Sequence, residues 1–195
     1  MAKSDLKVVA FAGSTREGSY NQSVLDAVVD ALVEAGAEVE RVRLAEFTMP
    51  LFDQDLEGAE GLPENARKLK RIFDKADAFV IASPEYNSAF TPLTKNVIDW
   101  CSRAESEDEE PCAVYQGKTV LLVSASPGPG GGIRGLYALR SILQNIGVTV
   151  YPEMRAVRSV FQLVDDRGVL TDDEELGKLG ELGRAFVTFA DKLAG

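Results

Sequence analysis

The 195-residue sequence contains no histidine. This absence excludes the Ser-His-Asp and Cys-His arrangements of nucleophilic catalysis, and it removes the commonest ligand of a catalytic metal. We therefore expect no metal site. If the protein is an enzyme, a bound organic cofactor is expected to carry the chemistry.

Cysteine and positive charge are also scarce. Cys101 and Cys112 are too few for a disulfide framework and lack the spacing of zinc ligands, so we expect free thiols, with a bridge between them as the alternative. The 21 Lys and Arg residues stand against 31 Asp and Glu residues, and the net charge is -10. A nucleic-acid partner is not expected, because a phosphate backbone requires clustered cations.

Long apolar runs are missing as well. No segment approaches the roughly 20 apolar residues that span a bilayer, and the amino-terminal stretch is too short for a signal peptide. We expect no membrane insertion and a cytoplasmic location. The length, with 45% hydrophobic and 27% charged residues, is typical of a single domain over residues 1–195.

One stretch near the amino terminus combines a strand, a turn and a helix start. Val8 to Phe11 is a short apolar run that ends at Gly13, and a helical pattern begins after Ser19 and continues to Gly36. Ser19 and Gln22 have the spacing of a capping box. The first turn, defined here as Gly13 to Asn21, contains several hydrogen-bond donors: Ser14, Thr15, Arg16, Ser19 and Asn21.

Donors at a helix N-terminus favour an anion, most plausibly a phosphate. The stretch lacks both the Gly-Lys-Ser/Thr ending of nucleoside-triphosphate loops and the Gly-x-Gly-x-x-Gly spacing of dinucleotide folds. A smaller monophosphate is therefore the predicted ligand. The alternative is an ordinary strand-to-helix turn with a solvated arginine.

Strand and helix patterns alternate along the rest of the chain and predict an α/β fold with a parallel sheet and helices on both faces. The further predicted strands are Glu38 to Leu44, Ala78 to Ala82, Thr119 to Ala125 and Val148 to Tyr151. Helices are predicted from Pro63, from Thr91 and Pro92, over Ile133 to Ile146, and from a capping box at Thr171 to Glu174.

Two more unusual turns follow predicted strands, and we call them the second turn (Ser83 to Phe90) and the third turn (Ser126 to Gly132). Ligands of such folds bind beyond the carboxyl ends of the strands, so the three turns predict one site. Elsewhere, Phe47 to Leu62 is interpreted as a surface loop and Trp100 as a core residue. The acidic run Glu105 to Glu110 is interpreted as a solvated loop, with exclusion of anionic substrates as the alternative.

Three segments of the sequence resemble the NAD(P)H-dependent FMN reductases of flavodoxin-like fold, a family that includes bacterial quinone, azo-dye and chromate reductases. The segments are GSTREGSYN at Gly13 to Asn21, SPEYNSAFTPLTKNVIDWCSR at Ser83 to Arg103 and SASPGPGGGIRGLYALR at Ser124 to Arg140. The resemblance implies a doubly wound, five-stranded parallel sheet. The lengthened acidic stretch between Arg103 and Gly117 departs from the family and leaves the outer wall of the substrate pocket undefined.

The resemblance also implies the cofactor, FMN, and the residues around it. Those residues comprise the phosphate-binding turn, the second turn bordering the isoalloxazine ring, and the start of the third turn closing the other side: Ser14, Thr15, Arg16, Ser19, Tyr20, Asn21, Pro84, Glu85, Tyr86, Asn87, Ser88, Ser126 and Gly128. Glu85 is expected to act through its backbone, because a carboxylate directly against the flavin would disfavour the reduced, anionic form of the flavin. Tyr86 would cover the ring or the nicotinamide, or else be a packing residue.

The predicted function is hydride transfer from NADPH or NADH to FMN and then electron transfer to a quinone-like acceptor, with no side-chain base required. The alternatives are a flavodoxin-like electron carrier without nicotinamide activity and a non-redox nucleotide switch or transferase. The resemblance further implies a homodimer or homotetramer, with possible subunit contacts at Arg103, Arg134, Tyr137 and Glu153; exposed polar residues are the alternative for those positions.

Overall fold

The apolar runs of the sequence form the strands of a central parallel sheet. The computed structural model describes residues 5–194. Its strands are β1 (Lys7–Ala12), β2 (Glu38–Val42), β3 (Ala78–Ala82), β6 (Thr119–Ala125), β7 (Thr149–Val150) and β8 (Arg155–Val157), while β4 (Glu85–Tyr86) and β5 (Ala89–Phe90) form a separate hairpin. The order in the sheet is β2-β1-β3-β6-β7, with β8 also paired to β6, and every pairing in this sheet is parallel.

The order confirms the flavodoxin-like α/β fold expected from the sequence. Five positions run across the sheet, as predicted, but the fifth is shared by two short strands on the same side of β6. Of the last predicted strand, Val148 to Tyr151, only Thr149 and Val150 form β7, although the Tyr151 N–H still donates to the Val120 carbonyl at 2.8 Å. Gly13 follows β1 directly, and its N–H donates to the Ala82 carbonyl, 2.9 Å away, at the end of β3.

Helices cover both faces of the sheet. The residues of β1 alternate between two hydrophobic cores, one on each face of the sheet: Val8 and Ala10 belong to the first core, whereas Val9 and Phe11 belong to the second. The helices of the first face are α1 (Tyr20–Glu34) and α6 (Asp173–Ala194). Those of the second are α3 (Glu64–Asp74), α4 (Pro92–Cys101) and α5 (Ile133–Asn145).

The segment predicted as a loop, Phe47 to Leu62, contains a helix instead. The chain forms a 3-10 turn at Leu44–Glu46 and then α2 (Gln54–Glu60). The Asp53 carboxylate caps α2 by accepting bonds from the N–H groups of Asp55 and Leu56, 2.8 and 3.1 Å away. Since α2 buries no residue, it shows no apolar periodicity, and the capping residue was its main signal.

Two predicted capping boxes are wrong in detail. Ser19 is the N-cap of α1, but its side chain makes no capping bond within the described structure, and the Gln22 amide donates to Asp26 instead. At α6 the Asp172 carboxylate accepts from the Glu175 N–H at 2.8 Å and takes the role expected of Thr171. In both places a competing polar neighbour was available within the same turn.

Other predictions concern individual side chains. Trp100 is fully buried, as expected, and its indole N–H donates to the Pro50 carbonyl at 2.8 Å. Cys101 and Cys112 are free thiols, and burial raises the pKa of Cys101 to about 12. Within residues 5–194 no helix combines the length and the apolar character needed to cross a membrane, and that same range holds no cluster of three or more potential metal-ligating side chains.

The acidic run is mostly exposed, but two of its carboxylates pair with α3, and one of them, Glu105, lies 4.0 Å from Arg67 Nη1. Glu109 forms an ion pair with the buried Lys70 ammonium, 2.7 Å away. The run lies between the end of α4 and the start of β6, so it leads to the amino edge of the sheet, opposite the three turns. This placement does not support a role at the substrate pocket.

Two glycines of α6 provide a matched test of helix packing. Gly177 is exposed and a β-carbon there would meet open space in the described structure, whereas a β-carbon at Gly183 would lie 3.1 Å from Ala31 Cβ and 3.3 Å from the Val28 carbonyl of α1. We expect Gly177→Ala to raise the free energy of unfolding by about 0.5–1 kcal/mol, because alanine favours the helix. Gly183→Ala should lose this gain to crowding. Denaturant unfolding of both variants checks the difference; equal stabilisation would contradict the close packing of α6 on α1.

Candidate functional site

Three turns meet at the carboxyl edge of the sheet and enclose a cavity of about 240 Å³. The first turn follows β1, the second follows β3 and the third follows β6. Most predicted site residues line the cavity, together with Ala125 and Pro127, which sequence reasoning missed. The predicted residues in the lining are Ser14, Arg16, Ser19, Tyr20, Asn21, Pro84, Glu85, Tyr86 and Ser126.

The first turn presents an arginine and the start of a helix to this cavity. The first N–H groups of α1 have no intrahelical partner, and the cap residue Ser19 does not satisfy them with its side chain. The Arg16 guanidinium donates to the Glu17 carbonyl at 3.0 Å and lies 5.4 Å from the centre of the Tyr20 ring. Positive charge and N–H donors therefore come together at one end of the cavity.

A hydroxyl joins the first turn to Thr91, the N-cap residue of α4 that directly follows the second turn. Thr91 Oγ1 donates to the Gly13 carbonyl at 2.8 Å and is also within 2.9 Å of Thr94 Oγ1. A β-carbon at position 13 would lie 2.0 Å from Thr94 Oγ1, so only glycine permits this close approach.

An amide joins the first turn to the end of β6, directly before the third turn. Asn21 Nδ2 donates to the Ala125 carbonyl and Asn21 Oδ1 accepts from the Ala125 N–H, both at 2.9 Å. Asn21 is 4% exposed. The amide expected to contact a phosphate thus already makes two bonds to the end of β6.

A carboxylate joins the second turn to the start of α5, directly after the third turn. Glu85 accepts from the Gly135 N–H at 2.9 Å and from Arg134 Nη2 and Nε at 3.0 and 3.2 Å. Burial would raise the pKa of Glu85, but the hydrogen bonds from Gly135 and Arg134 outweigh it and lower the pKa. The residue therefore acts through its ionised side chain, which faces the start of α5, and not only through its backbone as the sequence suggested.

The second turn is itself a short hairpin of β4 (Glu85–Tyr86) and β5 (Ala89–Phe90). Asn87 and Ser88 form its tip with φ angles of 51° and 67°, and both are exposed. Positive φ at both central residues is typical of a tight hairpin turn. The structure places these two predicted residues outside the lining of the cavity in the described chain, whereas Tyr86 lies in it and is 57% exposed.

The third turn is held by its own short bonds. Ser126 Oγ accepts from the Gly128 N–H at 3.1 Å, and the Ser126 N–H donates to the Val157 carbonyl of β8 at 3.1 Å. Gly128 thus shapes the turn and lies outside the cavity lining found in residues 5–194, and the same holds for Thr15 of the first turn.

A wider groove of about 390 Å³ lies on the outer side of the first turn, with Ser14, Arg16 and Ser19 shared between it and the cavity. Arg43 and Arg167 line it, but so do Asp26 and Asp30, which pair with Arg41 at 2.9 and 2.5 Å. Acidic and basic groups are therefore mixed along the groove.

The residues expected at a subunit interface include two arginines that already have partners within the chain. Arg103 pairs with Glu57 at 2.7 Å, and Arg134 pairs with Glu85. Tyr137 and Glu153 are exposed.

These features define a class of protein. A flavodoxin-like sheet, a phosphate-sized group of donors at α1 and a narrow cavity bounded by turns fit a phosphorylated planar cofactor. The ionisable side chains in the cavity lining are Arg16, Tyr20, Glu85 and Tyr86. Since the Glu85 carboxylate is occupied by Arg134 and Gly135, this lining offers a binding site rather than a nucleophile or a free carboxylate base.

Comparison with known proteins narrows the class. The family model described as NADPH-dependent FMN reductase matches residues 6–162. An NAD(P)H:quinone oxidoreductase of Solanum tuberosum is 34% identical over 195 residues, covering 97% of this chain and 95% of that protein. An NAD(P)H-dependent FMN reductase of Pseudomonas aeruginosa is 35% identical over 173 residues, covering 87% of both.

A solved structure agrees with this. FerB, a flavoenzyme NAD(P)H:(acceptor) oxidoreductase from Paracoccus denitrificans, superposes with a TM-score of 0.78 at 26% identity, covering 96% of this chain and 98% of that one. The chain belongs to the NADPH-dependent FMN reductase family. It is an oxidoreductase that uses FMN as its cofactor and NAD(P)H as its electron donor.

The bonds at Glu85 predict a pH-dependent contribution to stability. A carboxyl group whose folded pKa is lowered stabilises the protein above its unfolded pKa, and this contribution is lost as the pH falls through the folded pKa. Glu85→Gln should therefore lower the free energy of unfolding by about 1–2 kcal/mol at pH 7. The difference from wild type should shrink below about pH 4. Urea unfolding across pH checks this, and a difference that does not vary with pH would contradict it.

Proposed function

We propose that this protein passes electrons from NADPH or NADH, through FMN at the carboxyl edge of the sheet, to a quinone-like small molecule. The observation that carries the proposal is one cavity where three turns meet, with side-chain bonds that tie each turn to a segment next to another turn: Asn21 to the end of β6, Glu85 to the start of α5, and the cap residue Thr91 of α4 to Gly13. The acceptor class is supported by relatives named as quinone oxidoreductases and quinone reductases.

The first turn is the proposed phosphate site. A flavin phosphate is close to a dianion, so it needs several donors and local positive charge. Ser14, Ser19 and the N-terminus of α1 provide hydroxyl and N–H groups, and Arg16 provides the charge. Tyr20 supports this arrangement because its ring packs against the Arg16 guanidinium.

The second and third turns are the proposed ring site. Pro84 and Tyr86 of the second turn and Ser126 of the third turn line the cavity. Four other predicted residues would act by shaping the turns that present these side chains: Thr15, Asn87, Ser88 and Gly128. When bound, FMN supplies the redox chemistry that the histidine-free chain lacks. The exposed Tyr86 ring is the group we assign to contact with the donor or the acceptor.

The chain's own groups then have binding and positioning roles. Glu85 keeps its carboxylate on Gly135 and Arg134, so its negative charge is neutralised beside a ring that becomes more negative on reduction. A general base is not part of the proposal, because hydride transfer requires only contact between two rings in the right orientation.

The competing function is a flavodoxin-like carrier that binds FMN but does not react with nicotinamide. Anaerobic addition of NADPH or NADH to the purified yellow protein should bleach the flavin absorbance rapidly, and adding a quinone should restore it. A carrier would stay yellow with both nucleotides. Protein purified without flavin that also fails to bind added FMN would contradict both readings and favour a non-redox nucleotide site.

Assembly, domain organisation and location complete the proposal. We propose a single domain over residues 1–195, a cytoplasmic location and a homodimer or homotetramer. Support for subunit contacts comes from the exposed Tyr137 and Glu153, whereas Arg103 and Arg134 already pair with Glu57 and Glu85 of the same chain. Light scattering should give two or four times the chain mass of 21.1 kDa, whereas a value of one chain mass would contradict the assembly.

A further inference from the structure

We infer that Asn21 is a positioning residue, whose side-chain amide fixes the third turn, and that it is not a phosphate ligand. The inference rests on the flavin placement proposed above. It replaces the expectation from sequence, in which Asn21 was grouped with Ser14, Arg16 and Ser19 around the phosphate.

The amide meets both polar backbone groups of one residue. Asn21 Nδ2 donates to the Ala125 carbonyl and Asn21 Oδ1 accepts from the Ala125 N–H, each at 2.9 Å, and the contact joins residues 104 positions apart. Both partners are buried, Asn21 at 4% and Ala125 at 4% exposure. A side-chain amide has the same donor and acceptor groups as a peptide unit, so Asn21 pairs with Ala125 as a neighbouring strand would.

The position explains why such a partner is needed. In the ladder between β3 and β6 the last pair is Ala82 with Val123, and the Ser83 N–H makes the final bond, to the Val123 carbonyl at 2.9 Å. Ala125 lies two residues further along β6, beyond the end of β3. On the other side of β6 the Ser126 N–H is satisfied by Val157 of β8. Without Asn21, Ala125 would have a buried N–H and a buried carbonyl with no partner on the β3 side, which is costly.

The consequence falls on the ring end of the cavity. Ala125 is followed at once by Ser126 and Pro127, and all three line the cavity. The phosphate end is lined by Ser14 and Arg16 of the first turn. Loss of the Asn21 amide should therefore displace the wall beside the ring and leave the phosphate donors in place.

Riboflavin, which is FMN without the phosphate, separates the two roles. We expect Asn21→Ala to weaken FMN and riboflavin binding alike, by about tenfold or more, so that the ratio of the two dissociation constants stays within about twofold of wild type. Arg16→Ala is the matched variant for a phosphate ligand. It should weaken FMN binding by about tenfold and leave riboflavin binding unchanged. The ratio of the two dissociation constants would then change by about tenfold.

A variant on the opposite edge of the sheet controls for general destabilisation. The buried Lys118 ammonium donates to the carbonyls of Phe73 and Asp74, the last two residues of α3, at 2.6 and 2.9 Å. Lys118→Met should lower the unfolding temperature without changing either dissociation constant. Binding stoichiometry measured in each titration gives the folded fraction, so a loss of folded protein is distinguished from a loss of affinity.

The outcomes divide clearly. If Asn21→Ala weakens FMN binding alone, Asn21 is a phosphate ligand and the inference is wrong; unchanged affinity for both flavins would overturn it as well. If Arg16→Ala alters both affinities equally or neither, the flavin placement itself fails. Should Asn21→Ala not fold, Asn21→Asp is measured with riboflavin alone. The carboxylate keeps the acceptor for the Ala125 N–H but loses the donor, so wild-type riboflavin affinity in that variant would contradict the inference.

Discussion

The site depends on how the structure satisfies backbone groups at the ends of parallel strands. Strands of a parallel sheet stop at different heights, and where one ends its neighbour is left with unpaired N–H and carbonyl groups. Here side chains take the place of the missing strand: Asn21 pairs with Ala125, and Thr91 bonds to the Gly13 carbonyl. Because each bond joins the first turn to a residue next to another turn, satisfying the backbone also fixes the shape of the cavity. A site ordered before binding loses less entropy when the cofactor arrives.

The first turn presents positive charge to the cavity, although the chain as a whole is strongly negative. The net charge is -10, yet an anion is the proposed ligand of the first turn. Carboxylates near the site are neutralised locally: Glu85 by Arg134 and Gly135, and Asp26 and Asp30 by Arg41. Arg16 and the α1 N-terminus can then act over short distances, where screening and the overall field matter least.

The part of the chain that follows the family match packs against α1, the helix that follows the first turn. The match ends at residue 162, and the structure continues through a turn at Asp165 to α6. The Leu170 N–H donates to Ser23 Oγ at 2.7 Å in the first turns of α1, and α6 packs closely on α1 through Gly183. The carboxyl-terminal segment therefore stabilises the helix whose N-terminus faces the cavity, a contribution visible only in the folded chain.

The sequence by itself determined the main strands of the parallel sheet, the main helices, the doubly wound topology and most of the residues that line the cavity. Runs such as Ala78 to Ala82 and the donors around Arg16 are local signals, and local signals survive without knowledge of neighbours. Tertiary structure decided what each polar side chain contacts. The Asn21 amide bonds to Ala125, the Glu85 carboxylate bonds to Gly135 and Arg134, and α2 forms without burying any residue. The physical reason is that a hydrogen bond between residues 104 positions apart leaves no signal in local spacing: it forms only once folding places the start of α1 beside the end of β6.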